Sequence, residues 1–207
     1  MNFTTSNIDI DRAEILEMIA DKKKHGTFKV IDVGGDAGGW SKSHIDCLVD
    51  INAEDSPANF KMDICKEGDW TKILNHVEVN GKFDYCICSH TLEDVYNPYT
   101  AMQMFPQIAK AGVIMVPYYQ TELSHVENPI YRGYIHHRYL FKEKNGKIFL
   151  APKMPFLEKI NFPDFPSVLV NFRIDWENSI EYEIFMNNYL GPTTHHIINN
   201  FVSEFGQ

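Results

Sequence analysis

The chain has 207 residues, 44% of them apolar, which suits a packed core, and we expect a single domain over residues 1–207. Its formal net charge of −9 argues against a nucleic-acid partner, because an acidic surface repels phosphate backbones. The start of the chain lacks the basic and apolar regions of a signal peptide, and no apolar run reaches bilayer length. We therefore expect a cytoplasmic protein without membrane contact.

The first predicted element is a helix over residues 11–24, because Asp11 and Glu14 have capping-box spacing and Gly26 follows as a stop. A second helix is predicted after Asn97 as cap and Pro98 in its first turn, with a kink or early stop at Pro106. Short apolar segments predict five strands, at residues 28–35, 47–52, 59–64, 83–89 and 112–117. Strands that alternate with helical segments indicate an α/β fold with a parallel sheet.

The last third of the chain has a different pattern. Residues 138–142 and 147–151 predict a hairpin across Asn145-Gly146, and residues 172–186 predict a second hairpin around Asn178-Ser179. Residues 195–205 predict a closing helix. We expect a mostly parallel, seven-stranded sheet whose C-terminal strands are antiparallel.

The four cysteines lie in predicted strands or at strand ends and form no CxxC pair. The sequence therefore predicts no metal site, and the thiols are interpreted as buried and reduced. They are Cys47, Cys65, Cys86 and Cys88.

A glycine-rich segment, VIDVGGDAGGW (30–40), follows the first predicted strand. Its glycines allow a sharp turn and the close approach of a ligand to the backbone. It does not fit the dinucleotide fingerprint, since the third position counted from Gly34 is Asp36. A carboxylate there repels a pyrophosphate but is tolerated beside a cofactor with a positively charged sulfonium. A plain glycine turn is the alternative interpretation.

Polar residues also mark the ends of the next three predicted strands, which meet at one edge of the sheet. Asp50 is placed to accept the two hydroxyls of a ribose, although an ordinary surface aspartate is the alternative. Asp63 is placed to accept an adenine amino group, with the Ile64 backbone beside it. Ser89 and His90 begin the segment SHTLEDV at the end of the fourth strand.

Successive segments of the chain resemble the motifs of class I S-adenosylmethionine-dependent methyltransferases of the methyltransferase type 11 kind. They are VIDVGG, LVDIN, KMDI, FDYCICSHTLEDVYNP and AKAGVIMVP, and the later HHRYLFKEKNGKIFLAPK is similar to a bacterial subgroup with a histidine-arginine hairpin after the fifth strand. The resemblance covers about residues 28–186, and it implies a Rossmann-like fold that binds S-adenosylmethionine. The residues it implies for cofactor binding are Asp32, Gly34, Gly35, Asp36, Gly38, Asp50, Ile51, Asp63, Ile64, Ser89 and His90. The chain departs from the pattern at Asp36, and in the short segment that replaces the usual first helix.

The resemblance implies methyl transfer to an acceptor that the protein aligns with the cofactor. The candidate bases are His90, His125, His136 and His137, and Arg138 is a candidate for holding an acidic substrate group. We predict an acceptor site between Ser89-His90 and residues 136–138. The aromatic segment 117–134 is either a lid over the substrate or a packed loop.

Three function classes follow from these patterns. The first is a methyltransferase that acts on a small molecule or a glycan precursor such as a sugar. The second is a non-catalytic module that binds the cofactor or a partner. The third, a nicotinamide-dependent oxidoreductase, is disfavoured by Asp36 and by the short gap between the glycine turn and Asp50.

Overall fold

A computed structural model of the chain describes residues 1–56, 58–158, 165–167, 169–185 and 194–206. The strands are β1 (Asn2–Ser6), β2 (Val30–Val33), β3 (Cys47–Asp50), β4 (Asn59–Lys61), β5 (Phe83–Ser89), β6 (Ala109–Pro117), β7 (Tyr139–Lys144), β8 (Lys147–Pro152), β9 (Asn171–Glu177) and β10 (Tyr182–Ile184). The helices are α1 (Ile8–Lys24), α2 (Thr71–Asn80), α3 (Pro98–Ile108), α4 (Tyr119–Leu123) and α5 (Thr194–Phe205). Two short 3-10 helices cover Glu67–Trp70 and Pro155–Glu158. No helix within these described ranges is long and apolar enough to cross a membrane.

Seven strands form the main sheet in the order β4-β3-β2-β5-β6-β9-β1. The first five of these are mutually parallel, and β9 is antiparallel to both of its neighbours, β6 and β1. The order of the five parallel strands is that of a Rossmann-like sheet. From β2 the chain adds β3 and β4 on one side, and then β5 and β6 on the other, so the strand order reverses between β2 and β5. The predicted α/β class and mostly parallel sheet are confirmed.

Alternating side chains of the central strands pack on opposite faces of the sheet, as the two-residue period of a strand requires. On β5, Tyr85 and Ile87 face α1, where they pack with Ile15 and Ile19. Cys86 and Cys88 face the other side, in a core that also contains residues of α2 and α3. Helices therefore cover both faces of the parallel strands, which explains why those strands are almost wholly apolar.

A second sheet has the order β10-β8-β7. The predicted hairpin is confirmed, with β7 and β8 antiparallel and Leu140 opposite Ala151. Its turn has positive φ at Asn145 (54°) and Gly146 (74°), the conformation that favours Asn-Gly. One face of this sheet packs in the same core as α3, and the other packs against Phe201 and Phe205 of α5. The position of α5 agrees with the predicted closing helix. The predicted hairpin thus lies outside the main sheet.

The second predicted hairpin, over residues 172–186, is wrong. Strands β9 and β10 do not pair with each other, and β10 instead lies parallel to β8. The physical reason is that β9 is already flanked by β6 and β1, so it has no free edge. Asn178, with a φ of 61°, turns the chain away after β9.

The predicted start of the first helix is also wrong. The cap is Asn7, whose side chain accepts a hydrogen bond from the backbone amide of Asp9. Asp11 lies within α1 and is buried, where it accepts hydrogen bonds from Ser6 and Asn171. Asn97 likewise precedes α3 without capping its backbone, while Pro98 is in the first turn and the helix ends two residues after Pro106.

The segment between the glycine turn and β3 forms turns, so the usual first helix is absent, as the spacing predicts. Trp40 of this segment packs against the core beside α1, and the Arg12 guanidinium lies 5.5 Å from its ring centroid. The tryptophan therefore replaces part of the apolar surface that a helix would supply. All four cysteines are buried and free, and burial raises their pKa values, so they are unreactive thiols.

Candidate functional site

The order of the main sheet reverses between β2 and β5, and ligands of such sheets bind at the carboxyl ends of the strands beside this point. Here β2 runs into Gly34, and β5 runs into Ser89, His90 and Thr91. The Thr91 hydroxyl donates to the Gly34 carbonyl oxygen at 3.1 Å and so ties the two strand ends together. Two cavities lie on either side of this link.

The first, the glycine-turn cavity, has a volume of about 270 Å³ and is lined by Gly34, Gly35, Asp36, Ala37, Leu48, Asp50, Asn52 and Ala53. A Cβ atom on Gly34, which has a φ of 81°, would overlap the Thr91 side chain, and one on Gly35 would overlap the Asp32 carboxylate. Neighbouring side chains thus occupy the Cβ positions of both glycines, and the two residues line the cavity with backbone atoms alone. The oxygen Oδ1 of Asp50 accepts from the Asn52 amide at 2.7 Å, which holds the carboxylate at the cavity wall.

Asp32 supports this turn from beneath and does not line the cavity. It is 2% exposed, and the Ser41 hydroxyl donates a hydrogen bond to it. Burial raises the pKa of Asp32 to about 6, with a further contribution from the Asp50 charge, although the Ser41 hydrogen bond opposes the shift. The predicted role of Asp32 in contacting a cofactor thus becomes one of shaping the turn.

Several other predicted cofactor residues lie away from the glycine-turn cavity. Asp63 accepts from the Cys65 amide at 3.0 Å and pairs with Lys66 at 3.4 Å, and Ile64 is buried in the core. These contacts explain the position of Asp63 without a ligand. The remaining predicted residues outside the cavity lining are Gly38, Ile51, Ser89 and His90.

The second cavity, the histidine pocket, has a volume of about 420 Å³. It brings His90 together with His136 and His137, as the predicted acceptor site requires. The rest of its lining comes from the start of α1, the segment after β6 and the residues before β9. These residues are Asn7, Ile8, Asp9, Pro117, Thr121, Tyr134, Leu169, Val170 and Asn171.

His90 is held in a strained conformation at the edge of this pocket. Its φ of 51° lies in the left-handed region, which is costly for a residue with a side chain and which clusters at functional sites. Its Nε2 lies 3.2 Å from Oδ1 of Asn171, whose amide nitrogen donates to Asp11. Its Nδ1 lies 3.2 Å from the buried carboxylate of Glu93. Both ring nitrogens thus face protein groups, so His90 is better suited to shaping the pocket than to accepting a proton.

His137 has a different arrangement. Its Nδ1 hydrogen-bonds to Glu122 at 2.7 Å, and the other oxygen of Glu122 accepts from Lys153 at 3.0 Å. Burial opposes the positive charge of His137, but the hydrogen bond and charge of Glu122 outweigh it and raise the pKa of the imidazole. Burial of Glu122 is likewise outweighed by His137 and Lys153, which lower its pKa. The Glu122 contact leaves Nε2 of His137 as the nitrogen for other chemistry.

Arg138 does not line the histidine pocket. It is exposed and lines an adjacent cavity of about 530 Å³ with Tyr96, Ile135, Tyr139, Pro152, Lys153 and the two histidines 136 and 137. His125 lines neither cavity, and its Nδ1 lies 3.0 Å from the carbonyl oxygen of Tyr131. The segment 117–134 forms α4 and a packed stretch in which residues 121–124 are buried. The packed-loop interpretation therefore describes residues 121–124, while Pro117 and Tyr134 at the two ends of the segment line the histidine pocket.

Three residues that organise the site are not predicted from the sequence. Glu122 orients His137, Asn171 contacts His90, and Thr91 links the two strand ends. Thr91 lies within the segment SHTLEDV at the end of the fourth predicted strand, so its position in the sequence is a signal for a role at the ligand edge. Glu122 and Asn171 reach their partners across separations of 15 and 81 residues, and no local pattern predicts such contacts.

No protein-family profile matches the sequence, and no curated protein matches it. Among solved structures, the chain is similar to MycE methyltransferase from the mycinamycin biosynthetic pathway, solved in complex with Mg, SAH and mycinamycin VI. The two share 10% sequence identity, with a TM-score of 0.37, over 91% of this chain and 54% of the other. The chain thus spans about half the length of that structure. At this low similarity we infer a function only from the residues of the chain itself.

Proposed function

We propose that the chain transfers a methyl group from S-adenosylmethionine to a hydroxyl or amino group of a small molecule or glycan precursor. The observation that carries the proposal is the pair of cavities beside the β2–β5 reversal, one lined by bare backbone and a carboxylate, the other by histidines. When bound, S-adenosylmethionine supplies an electrophilic methyl group on a sulfonium. The chain's own residues must then bind it, align the acceptor and accept a proton.

Cofactor binding is assigned to the glycine-turn cavity. Gly34 and Gly35 let the backbone approach a ligand, and Asp50 is placed to accept ribose hydroxyls. Asp36 gives this cavity a second carboxylate. Two carboxylates fit a cofactor with a positive charge and no phosphate, whereas they would repel the pyrophosphate of a nicotinamide dinucleotide. This charge pattern favours methyl transfer over the oxidoreductase alternative.

Acceptor binding is assigned to the histidine pocket, whose volume of about 420 Å³ is that of a small-molecule site. Leu169 and Tyr134 form apolar and aromatic parts of the pocket wall, and Asp9 and Asn171 contribute polar groups to it. His137 is the residue best arranged to receive the acceptor's proton, since Glu122 fixes its ring through Nδ1 and its Nε2 has only a longer contact, of 3.5 Å, with Asp94. The methyl group bonds to the acceptor oxygen or nitrogen as its bond to sulfur breaks, and the acceptor proton leaves.

The test is a screen of hydroxylated and amino compounds for release of S-adenosylhomocysteine, followed by single alanine variants at His90, His136 and His137. We expect His137→Ala to lower turnover by about 100-fold or more, which is the usual contribution of a positioned acid or base, and to leave cofactor affinity nearly unchanged. His25→Ala, at an exposed residue after α1, is the matched control and should keep full activity.

If all three histidine variants keep full turnover, none of these residues takes part in proton transfer and the assignment of the acceptor pocket is wrong. If the protein binds the cofactor tightly but no acceptor in the screen is methylated, the non-catalytic binding module becomes the better description.

A further inference from the structure

Three side chains, two of which line the histidine pocket, converge on one point. Oδ1 of Asp94 lies 3.5 Å from Nε2 of His137 and 3.8 Å from Nε2 of His136. One ligand atom from each of the three residues lies within 4.8 Å of the other two. In a tetrahedral site with bonds of about 2.0 Å, neighbouring ligand atoms are about 3.3 Å apart, so small side-chain rotations complete the geometry.

We propose that Asp94, His136 and His137 bind one divalent transition-metal ion. Two histidines and a carboxylate with an open position suit zinc, cobalt, iron or manganese, whereas magnesium and calcium prefer an all-oxygen shell. Cysteine spacing alone predicts no metal site in this sequence, and these ligands come from two segments that are brought together only by the fold.

The surroundings of the three side chains support an ion. Oδ1 of Asp94 is buried and has no hydrogen-bond partner among the described residues, although the carboxylate as a whole is 40% exposed. A buried oxygen without a partner is unfavourable unless another group, such as a metal ion, satisfies it. His136 is 60% exposed, so its ring is free to turn toward the ion.

Glu122 provides the second observation. It is fully buried and bonds Nδ1 of His137, which leaves Nε2 as the nitrogen that faces Asp94. A carboxylate behind a histidine ligand fixes the ring and makes the ligating nitrogen more basic, and it is one of the three usual partners of a metal-bound histidine, with backbone carbonyls and water. An ion here would replace His137 as the group that activates an acceptor hydroxyl, by binding its oxygen directly.

His136 and His137 line the histidine pocket and the cavity of Arg138 alike, so an ion held by them would be accessible from both cavities. A ligand oxygen reaching the ion from the histidine pocket could therefore belong to a molecule whose acidic group contacts Arg138. The chemical class that fits is a small hydroxylated acid.

The experiment is calorimetric titration of the full chain, freed of metal by a chelator, with Zn²⁺ and separately with Co²⁺. We expect one ion per chain and, with Co²⁺, ligand-field absorption of a site with nitrogen and oxygen ligands. Asp94→Asn and His136→Ala should each weaken binding at least tenfold and remove the absorption. His25→Ala, which deletes an exposed histidine elsewhere, should bind as the wild type does.

Binding is measured without cofactor or acceptor, so this proposal and the proposed methyl transfer fail or stand separately. Thermal unfolding of the metal-free variants shows that each is folded, and His136→Ala serves even if Asp94→Asn is unstable. Absence of a stoichiometric ion in the wild type overturns the proposal. Equal affinity of the wild type, Asp94→Asn and His136→Ala overturns it as well.

Discussion

At the scale of single residues, Asp32 shows how the glycine turn depends on a buried charge. The residue lies one position before the end of β2, where water is excluded, and its raised pKa follows mainly from that burial. Its carboxylate fills the space that a side chain on Gly35 would need. The carboxylate therefore favours glycine at position 35, because any other residue there would place its Cβ atom against Asp32.

Stability should consequently fall as pH rises through the range in which Asp32 ionises in the folded protein. The folded pKa of about 6 lies above 3.8, the ordinary value for an aspartate in an unfolded chain, so between these pH values the folded state binds more protons than the unfolded chain. The contribution of Asp32 should fall by about 2 kcal/mol from pH 4 to pH 7. Asp32→Asn, which keeps an acceptor for Ser41, should remove this dependence.

The measurement is urea unfolding of wild type and Asp32→Asn at several pH values, so that other titrating groups cancel in the difference. The variant should gain stability relative to wild type as pH rises. If the free energies of unfolding of wild type and Asp32→Asn differ by the same amount at pH 4 and pH 7, the pKa of Asp32 is not raised in the folded protein.

At the scale of elements, an ion-pair network fastens α1 to the antiparallel end of the main sheet. Arg173 of β9 lies 2.8 Å from Glu14, 3.5 Å from Asp11 and 3.0 Å from Asp175. Asp11 in turn accepts from Asn171, the residue that contacts His90. The network therefore connects the packing of α1 with one wall of the histidine pocket.

Arg173→Met should destabilise the protein by about 3 kcal/mol, because it leaves the buried Asp11 carboxylate without its cation. Denaturant unfolding gives the value. Lys72→Met, which breaks the exposed pair with Asp55 at 2.8 Å, is the matched control and should move the midpoint little. Equal shifts for the two variants would mean that the network at Arg173 contributes no more than a surface ion pair.

Local sequence patterns predict some of the strands correctly. The predicted fourth strand coincides with β5 because seven consecutive residues, FDYCICS, are largely apolar and strand-forming. The hairpin at Asn145-Gly146 is confirmed because its turn residues accept positive φ. Strand β1, NFTTS, lies at the sheet edge with little apolar surface, so its sequence carries no strand pattern. Its pairing with β9 depends on contacts across more than a hundred residues.

At the scale of the whole molecule, the sequence predicts the mostly parallel sheet correctly and the composition of the site only in part. Glycine and aspartate at successive strand ends predict a ligand edge, and Gly34, Gly35, Asp36 and Asp50 do line one cavity. The predicted meeting of His90 with residues 136 and 137 follows from the same topology. The groups that orient them, Glu122 and Asn171, depend on how loops pack across the sheet edge, which no strand pattern encodes.

The central claim is that the glycine-turn cavity binds S-adenosylmethionine, and calorimetry with wild type and Asp50→Ala tests it most directly. Wild type should bind S-adenosylmethionine and S-adenosylhomocysteine more tightly than NAD. Asp50→Ala should lose about 2–4 kcal/mol of binding free energy, or roughly 30- to 1,000-fold in affinity, through the loss of charge-assisted hydrogen bonds. Asp55→Ala, an exposed aspartate outside the cavity, should bind as wild type does. Absence of binding heat with S-adenosylmethionine, or equal affinity for wild type and Asp50→Ala, would contradict this assignment of the cavity.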